Sequence, residues 1–155
     1  MRFRRLTTEE LAPLEKEFAK FLAVCGIEAP EWEKMKTDDK EGVEQKIEEF
    51  SDTVIGSVLK TAKYIEHKSK NDIRVFKCNE DDMELMAMQS EEEDLLGDID
   101  IDVFVEGDVK LFTAVKEYAI DREDEIFMLM QQGCVITDHV LFNTIKTFIG
   151  KNEEG

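Results

Sequence analysis

The sequence has no cysteines close enough to clamp a metal ion or build a disulfide framework. Cys25, Cys78 and Cys134 are widely spaced and odd in number, and no C-x-x-C pair occurs. Three buried thiols in a reducing cytosol are the expectation, so the chain is expected to be cytoplasmic. The eight glycines are scattered and form neither G-x-G-x-x-G nor a P-loop, which excludes a phosphate-cradling loop. No apolar run approaches the roughly 18 residues needed to span a membrane. The basic start Met1-Arg2-Phe3-Arg4-Arg5 runs into Thr7-Thr8-Glu9-Glu10 rather than an apolar stretch, so no export signal is expected. From Asn79 to Asp108 there is not one Lys or Arg.

That last absence is matched by a surplus. The same thirty residues carry 13 acids and so supply −13 of the chain's net charge of −17. The remaining 125 residues hold 24 acids against 20 bases. Such a charge repels phosphate backbones and anionic lipid head groups, so neither nucleic acid nor membrane is an expected partner. Basic proteins and divalent cations remain open as partners, and solubility is the plainest use of the charge. With 42% hydrophobic residues and ten Phe, the chain is expected to fold despite 37% charged residues. Its 155 residues suit one domain, placed at 1–150, with a frayed tail at 151–155.

Thr7 with Glu10 reads as a capping box opening a first helix toward Cys25, interrupted near Pro13 and closed by Gly26. Pro30 starts a short helix carrying Trp32 and Met35. Thr37 and Asp38 then cap a long helix from about Asp39 to Glu66. Its stripe is Val43, Ile47, Phe50, Val54, Val58, Ala62 and Ile65, and Gly56 is a place for close approach. Ile73–Cys78 and Met83–Met88 read as a hairpin around Asn79-Glu80-Asp81-Asp82. Asp98–Val105 alternates acid and aliphatic residues as a third strand. Leu111, Phe112, Val115, Tyr118 and Ala119 fit a helix. A further helix opens at Asp121 and stops at Gly133, and a last one runs from Thr137 or Asp138 through Ile149. A competing reading makes Ile126–Met130 and Cys134–Thr137 a hairpin, because short apolar runs are ambiguous.

Several local sequences, taken as a set, resemble a bacterial family of small proteins catalogued as a domain of unknown function. They are Arg4-Arg5-Leu6-Thr7, Glu10-Leu11, Glu17-Phe18, Phe21-Leu22, Gly26-Ile27, Trp32, Phe50-Ser51-Asp52, Leu111-Phe112-Thr113-Ala114 and Gln132-Gly133-Cys134-Val135-Ile136-Thr137. The resemblance covers roughly residues 1–69 and 109–148 and is weaker across the acidic middle. It implies a small bacterial intracellular protein and carries over no catalytic residue.

Asp98, Asp100 and Asp102 are the candidate metal ligands. On a strand, alternate carboxylates share one face about 6–7 Å apart, and with Glu84 or another acid of the hairpin they would offer oxygen ligands to Mg²⁺ or Ca²⁺. An EF-hand loop is excluded, since Val103 and Val109 stand where Gly and Glu are required. The plainer reading is a solvated sheet face whose charge discourages edge pairing. Cys134, Asp138 and His139 hold the parts of a thiol hydrolase, but Cys134 sits in an apolar run that reads as core. His67 lies where a helix end would favour it. The two helix–Gly–helix units around Gly26 and Gly133 lack the basic second helix of a DNA reader, so packing is their expected purpose. Met83, Met86 and Met88 read as core rather than as an adaptable binding surface.

These observations predict an α+β domain with helices on one face of a small antiparallel sheet of about three strands. No catalytic residue and no cofactor are assigned. The expected function is a non-enzymatic interaction or regulatory role in which the acidic sheet face meets a basic protein partner, the same face offering a dock to the chain's own Arg2, Arg4 and Arg5 or to a neighbouring subunit. The alternative is a divalent-metal-binding protein or metal-dependent enzyme built on Asp98, Asp100 and Asp102.

Overall fold

The computed structural model describes residues 1–97 and 108–154, with side chains as far as Gly150. The chain divides into two compact units, Met1–Lys60 and Thr61–Gly155.

The first unit is helical. Thr7 opens α1 (Thr8–Leu11) with a complete capping box: its hydroxyl accepts from Glu10 N at 3.1 Å, and the Glu10 carboxylate accepts from Thr7 N at 2.9 Å. Pro13 lies in a single 3₁₀ turn, Ala12–Leu14, after which α2 (Glu15–Val24) continues. Proline at an early position of the turn lacks only a donor that has no helical partner there, so the chain tightens rather than stops. Gly26, at φ +80°, closes α2. Ile27 N donates to Leu22 O at 2.8 Å and Gly26 N to Ala23 O at 3.0 Å, the two bonds of a Schellman cap. Next come α3 (Ala29–Asp38) and α4 (Lys40–Thr61). The side chain that caps α4 is Asp39, accepting from Gly42 N at 3.0 Å, one residue beyond the expected Thr37 and Asp38.

The start of the chain is strapped along α4. The Asp52 carboxylate accepts from Arg2 N and Phe3 N at 2.7 and 2.8 Å, and Ser51 Oγ accepts from Leu6 N at 2.9 Å. Ser51 then donates to Ile47 O at 2.7 Å. The Phe3 ring lies 3.6 Å from where a side chain on Gly56 would begin, which is the close approach expected there.

The second unit is a five-stranded sheet with helices. Strands β1 (Tyr64–Lys68), β2 (Asp72–Cys78), β3 (Asp82–Gln89), β4 (Lys110–Glu117) and β5 (Val135–Thr137) are ordered β4-β3-β2-β1-β5, and each neighbouring pair is antiparallel. Helix α5 (Arg122–Gln131) precedes β5, and α6 (Val140–Glu154) follows it. The expected hairpin forms with Cys78 opposite Met83, and Asn79 N donates to Asp82 O at 2.9 Å across the turn. Ile73, Val75, Met86 and Met88 share one face and pack with Phe142 and Ile145 of α6. Met83 is buried too, so all three hairpin methionines are core.

Four expectations about this unit are corrected. The α+β class holds, but the sheet has five strands rather than about three. The long helix ends at Thr61, not Glu66. Tyr64 and Ile65 belong to β1, whose backbone is paired on both sides, by β2 and by β5. Residues 110–117 are strand, not helix; the aromatic and β-branched side chains of Phe112, Thr113 and Val115 suit a pleated surface. Helices are not confined to one face. Lys116, opposite Met83 and therefore on the face turned away from α6, is bonded to Glu125 of α5. The two readings of 126–137 each hold in part: α5 is a helix, and Val135–Thr137 is a strand. Asp98–Val105, the expected third strand, lies outside the described residues.

Candidate functional site

The sequence-predicted metal ligands Asp98, Asp100 and Asp102 lie outside the described residues. Glu84, their expected companion, is in β3, where its carboxylate accepts from Asn79 Nδ2 at 2.9 Å and faces Lys77 Nζ at 3.9 Å. Among the described residues no group of three or more His, Cys, Asp or Glu side chains is placed to hold a metal ion.

The Cys134, Asp138 and His139 parts are used structurally. Asp138 Oδ1 accepts from Val140 N at 3.0 Å and caps α6, while the His139 carbonyl accepts from Asn143 N at 3.0 Å. Cys134 is buried, and burial raises its thiol pKa, which disfavours the thiolate a nucleophile needs. Its N–H donates to Leu129 O at 3.0 Å and Gly133 N donates to Met130 O at 3.1 Å, a second Schellman cap. His67 lies in β1, not at a helix end, and its ring sits 3.1 Å from where a Gly133 side chain would start.

Sequence reasoning gave no role to a partly buried polar cluster around the start of α5. Arg122 donates to the backbone carbonyls of Ala62, Cys78 (3.2 Å) and Asn79 (3.1 Å), tying the chain before β1 to the end of β2. The Tyr118 hydroxyl donates to the same Asn79 carbonyl at 2.7 Å. Burial pushes the Tyr118 phenol up to about 12 and the Cys78 thiol up to about 11, so both stay protonated at neutral pH. Glu125, 1% exposed, turns its carboxylate back on the preceding turn, where Oε1 accepts from Ala119 N at 3.0 Å and from Lys116 Nζ at 3.2 Å. Arginine bridging three carbonyls, a protonated thiol and a protonated phenol make a clamp on the backbone rather than an acid–base pair.

The first unit contains an open cleft of about 710 Å³ among α1–α2, α3 and α4. Its apolar lining includes Leu11, Phe18, Leu22, Trp32, Val43 and Ile47. The helix spacing explains why one stripe can line it: Leu11, Glu15, Phe18, Ala19 and Leu22 recur at three and four and project to one side. Trp32 stands edge-on to Phe18 with centroids 5.3 Å apart, and Phe18 is tilted against buried Phe50 at 4.9 Å. Phe18 and Trp32 are only half-buried. The signal available beforehand was the lone Trp beside a stripe of large apolar side chains.

The described acidic residues of the middle segment belong to the second unit. Glu80 and Asp81 are exposed at the β2–β3 turn, and Glu91, Glu92 and Asp94 are exposed beyond the far end of β3. At the start of the chain, Arg4 pairs with Glu10 at 2.8 Å, and Arg5 pairs with Glu44. Both guanidiniums are therefore engaged by carboxylates of the first unit. No helix among the described residues is long and apolar enough to cross a membrane.

The sequence resemblance now has a structural counterpart. Arg5 and Leu6 meet Glu44 and Ser51 of α4, and Gly26 and Gly133 are the two left-handed caps. The chain belongs to a family described as Family of unknown function (DUF6495), which matches residues 1–150. Neither a curated protein nor a solved structure matches it.

Proposed function

We propose that this chain is a non-enzymatic interaction or regulatory domain that takes a basic protein partner. The observation carrying the reading is the pair of exposed acidic ends on the β2–β3 hairpin. Residues 79–97 hold eight acids and no Lys or Arg, and five of the acids are exposed. At about 3.4 Å per residue, the eight-residue β3 sets the two ends roughly 25 Å apart. A compact basic partner spans that distance, and clustered carboxylates favour its approach and orientation more than they add to affinity. The chemistry of the polar clusters points the same way. Arg122 is spent on three carbonyls, and the Cys78 and Cys134 thiols are held protonated by burial.

The test is a pull-down from the native lysate at low and high salt. It compares the parent chain with a variant carrying Glu80→Gln, Asp81→Asn, Glu91→Gln and Glu92→Gln. Lys/Arg-rich proteins are expected with the parent at low salt, to be lost at high salt and reduced in the variant. Recovery of the same proteins by both chains at both salts would remove the reading.

A further inference from the structure

The cleft in the first unit has a shape and rim that select one kind of occupant, and we infer that it seats a basic amphipathic helix of a partner protein. This rests on the reading of the chain as an interaction domain, but its residues are those of the first unit, whereas the acidic hairpin ends belong to the second.

The form of the occupant follows from the walls. One wall is a ridge on α1–α2 running from Thr8 to Leu22, about 20 Å at 1.5 Å per residue. The other is the α3 ridge of Ala29, Trp32, Glu33 and Lys36, spaced at three and four. Val43 and Ile47 of α4 complete the lining. Two helical ridges with a trough between them are the seat that a third helix fills. Ala12, Ala19 and Ala29 line the cleft with single methyl groups, which leaves room for a backbone to approach. A helix also brings its own hydrogen bonds, as it must in an apolar trough whose helical walls have no free backbone edge to pair with. An occupant of about 14 residues matches the long wall, with anchors at i, i+4 and i+7 spanning about 10 Å.

The sign of the occupant follows from the rim. Glu15 and Glu33 are exposed there, and the one rim cation, Lys36, is paired with Glu33 at 3.0 Å. The first unit as a whole carries 14 acids against 10 bases. Lys or Arg flanking the apolar anchors meets this rim favourably, and Glu or Asp does not.

Trp32 is the chain's single tryptophan, so its emission reports on the cleft directly. The probe is a synthetic 14-residue helical peptide with Leu at three anchor positions and Lys elsewhere on the flanks. A twin peptide with Glu in place of Lys, a Lys-rich peptide without apolar residues, and the dye ANS serve as comparisons. The Lys/Leu peptide is expected to give a saturable blue shift of Trp32, with the Glu twin at least tenfold weaker. Ala19→Arg, an exposed helical position on the wall, is expected to weaken the Lys/Leu peptide at least tenfold. Glu17→Gln changes the charge by the same amount off the cleft and is expected to leave binding within twofold. The inference is overturned by the absence of a shift up to about 1 mM peptide, by equal binding of the Glu twin, or by indifference to Ala19→Arg. ANS binding without peptide binding overturns it in favour of a small-molecule cleft. The Lys-rich peptide without anchors separates the two proposals. If it binds without moving Trp32 while the Lys/Leu peptide fails, the basic-partner reading stands and the helix seat falls.

Discussion

Replacing Lys116 with methionine tests how this fold tolerates a carboxylate enclosed in protein. Glu125 is 1% exposed, and its Oε1 holds both of its bonds, to Ala119 N and Lys116 Nζ. Its Oε2 is buried with no partner among the described residues. The Lys116 side chain is 54% exposed, so water and salt screen the cation's side of the pair. Methionine keeps the stem's packing and removes the charge. Breaking a fully buried ion pair from one side costs about 3–5 kcal/mol, and a hydrogen bond to a charged group is worth about 1.5–3 kcal/mol. With half of the lysine in water the smaller figure governs, and a loss of about 2 kcal/mol is expected. Adding Glu125→Gln removes the stranded charge while its carbonyl oxygen still accepts from Ala119 N. The double variant is expected to return to within about 1 kcal/mol of the parent. Urea unfolding followed by far-UV circular dichroism at pH 7 gives the three stabilities at equal slope. A double variant no more stable than Lys116→Met would falsify the electrostatic account and leave side-chain packing as the role of Glu125.

Three further outcomes are expected. Gly26→Ala meets open space and pays only for its positive φ, about 1 kcal/mol, whereas Gly133→Ala also meets the His67 ring 3.1 Å away. Gly133→Ala should therefore be the more destabilising, and His67→Ala should narrow the gap; equal melting temperatures for the two glycine variants would refute the contact. The Arg4 guanidinium and the Thr7 backbone hold the Glu10 carboxyl down at about 2, below its ordinary 4.5. A depressed carboxylate stabilises the fold above its unfolded pKa, so this contribution is complete above about pH 4.5 and is lost as pH falls toward 2. Because the pair is exposed it is worth under about 1 kcal/mol, and the pH dependence should flatten in Glu10→Gln over that window. Iodoacetamide at neutral pH should label the exposed Cys25 in the native chain and reach buried Cys78 and Cys134 only on unfolding, read by mass spectrometry. Rapid native labelling of Cys78 would contradict a thiol held near 11.

Features set by neighbours in sequence were the ones legible in advance. The Thr7–Glu10 box, the Gly26 and Gly133 caps and the β2–β3 hairpin each close within a few residues, and each formed where the sequence placed it. The long helix was extended too far because Ala62 and Ile65 continue its three-and-four spacing. Both are buried, but in the sheet-forming unit, and spacing alone does not say which surface covers a residue. Strand β4 was misread for the opposite reason. Most of its residues are exposed on both faces, so no alternation of polar and apolar residues marks it as a strand. The clamp at Arg122 had no local signal, since its partners at Ala62, Cys78 and Asn79 lie 43 to 60 residues away. The cleft was legible only in its parts: a first helix toward Cys25 and a short helix carrying Trp32 were expected, while its openness depends on how α3 stands against α2.

The place of β5 bears on the order in which the sheet can assemble. Strands β1 to β4 follow one another as a meander, but β5 lies beside β1, pairing Tyr64 with Thr137. Closing that pairing encloses about 70 residues, whereas the β2–β3 turn encloses only a few, and loop-closure entropy grows with the logarithm of the length. The hairpin is therefore expected to gain protection first during refolding and β5 last, so that the far edge is the slow step of a fast-starting sheet. Pulse-labelled hydrogen exchange would show it as late protection of Val135–Thr137, and simultaneous protection of β5 and the hairpin would contradict this order.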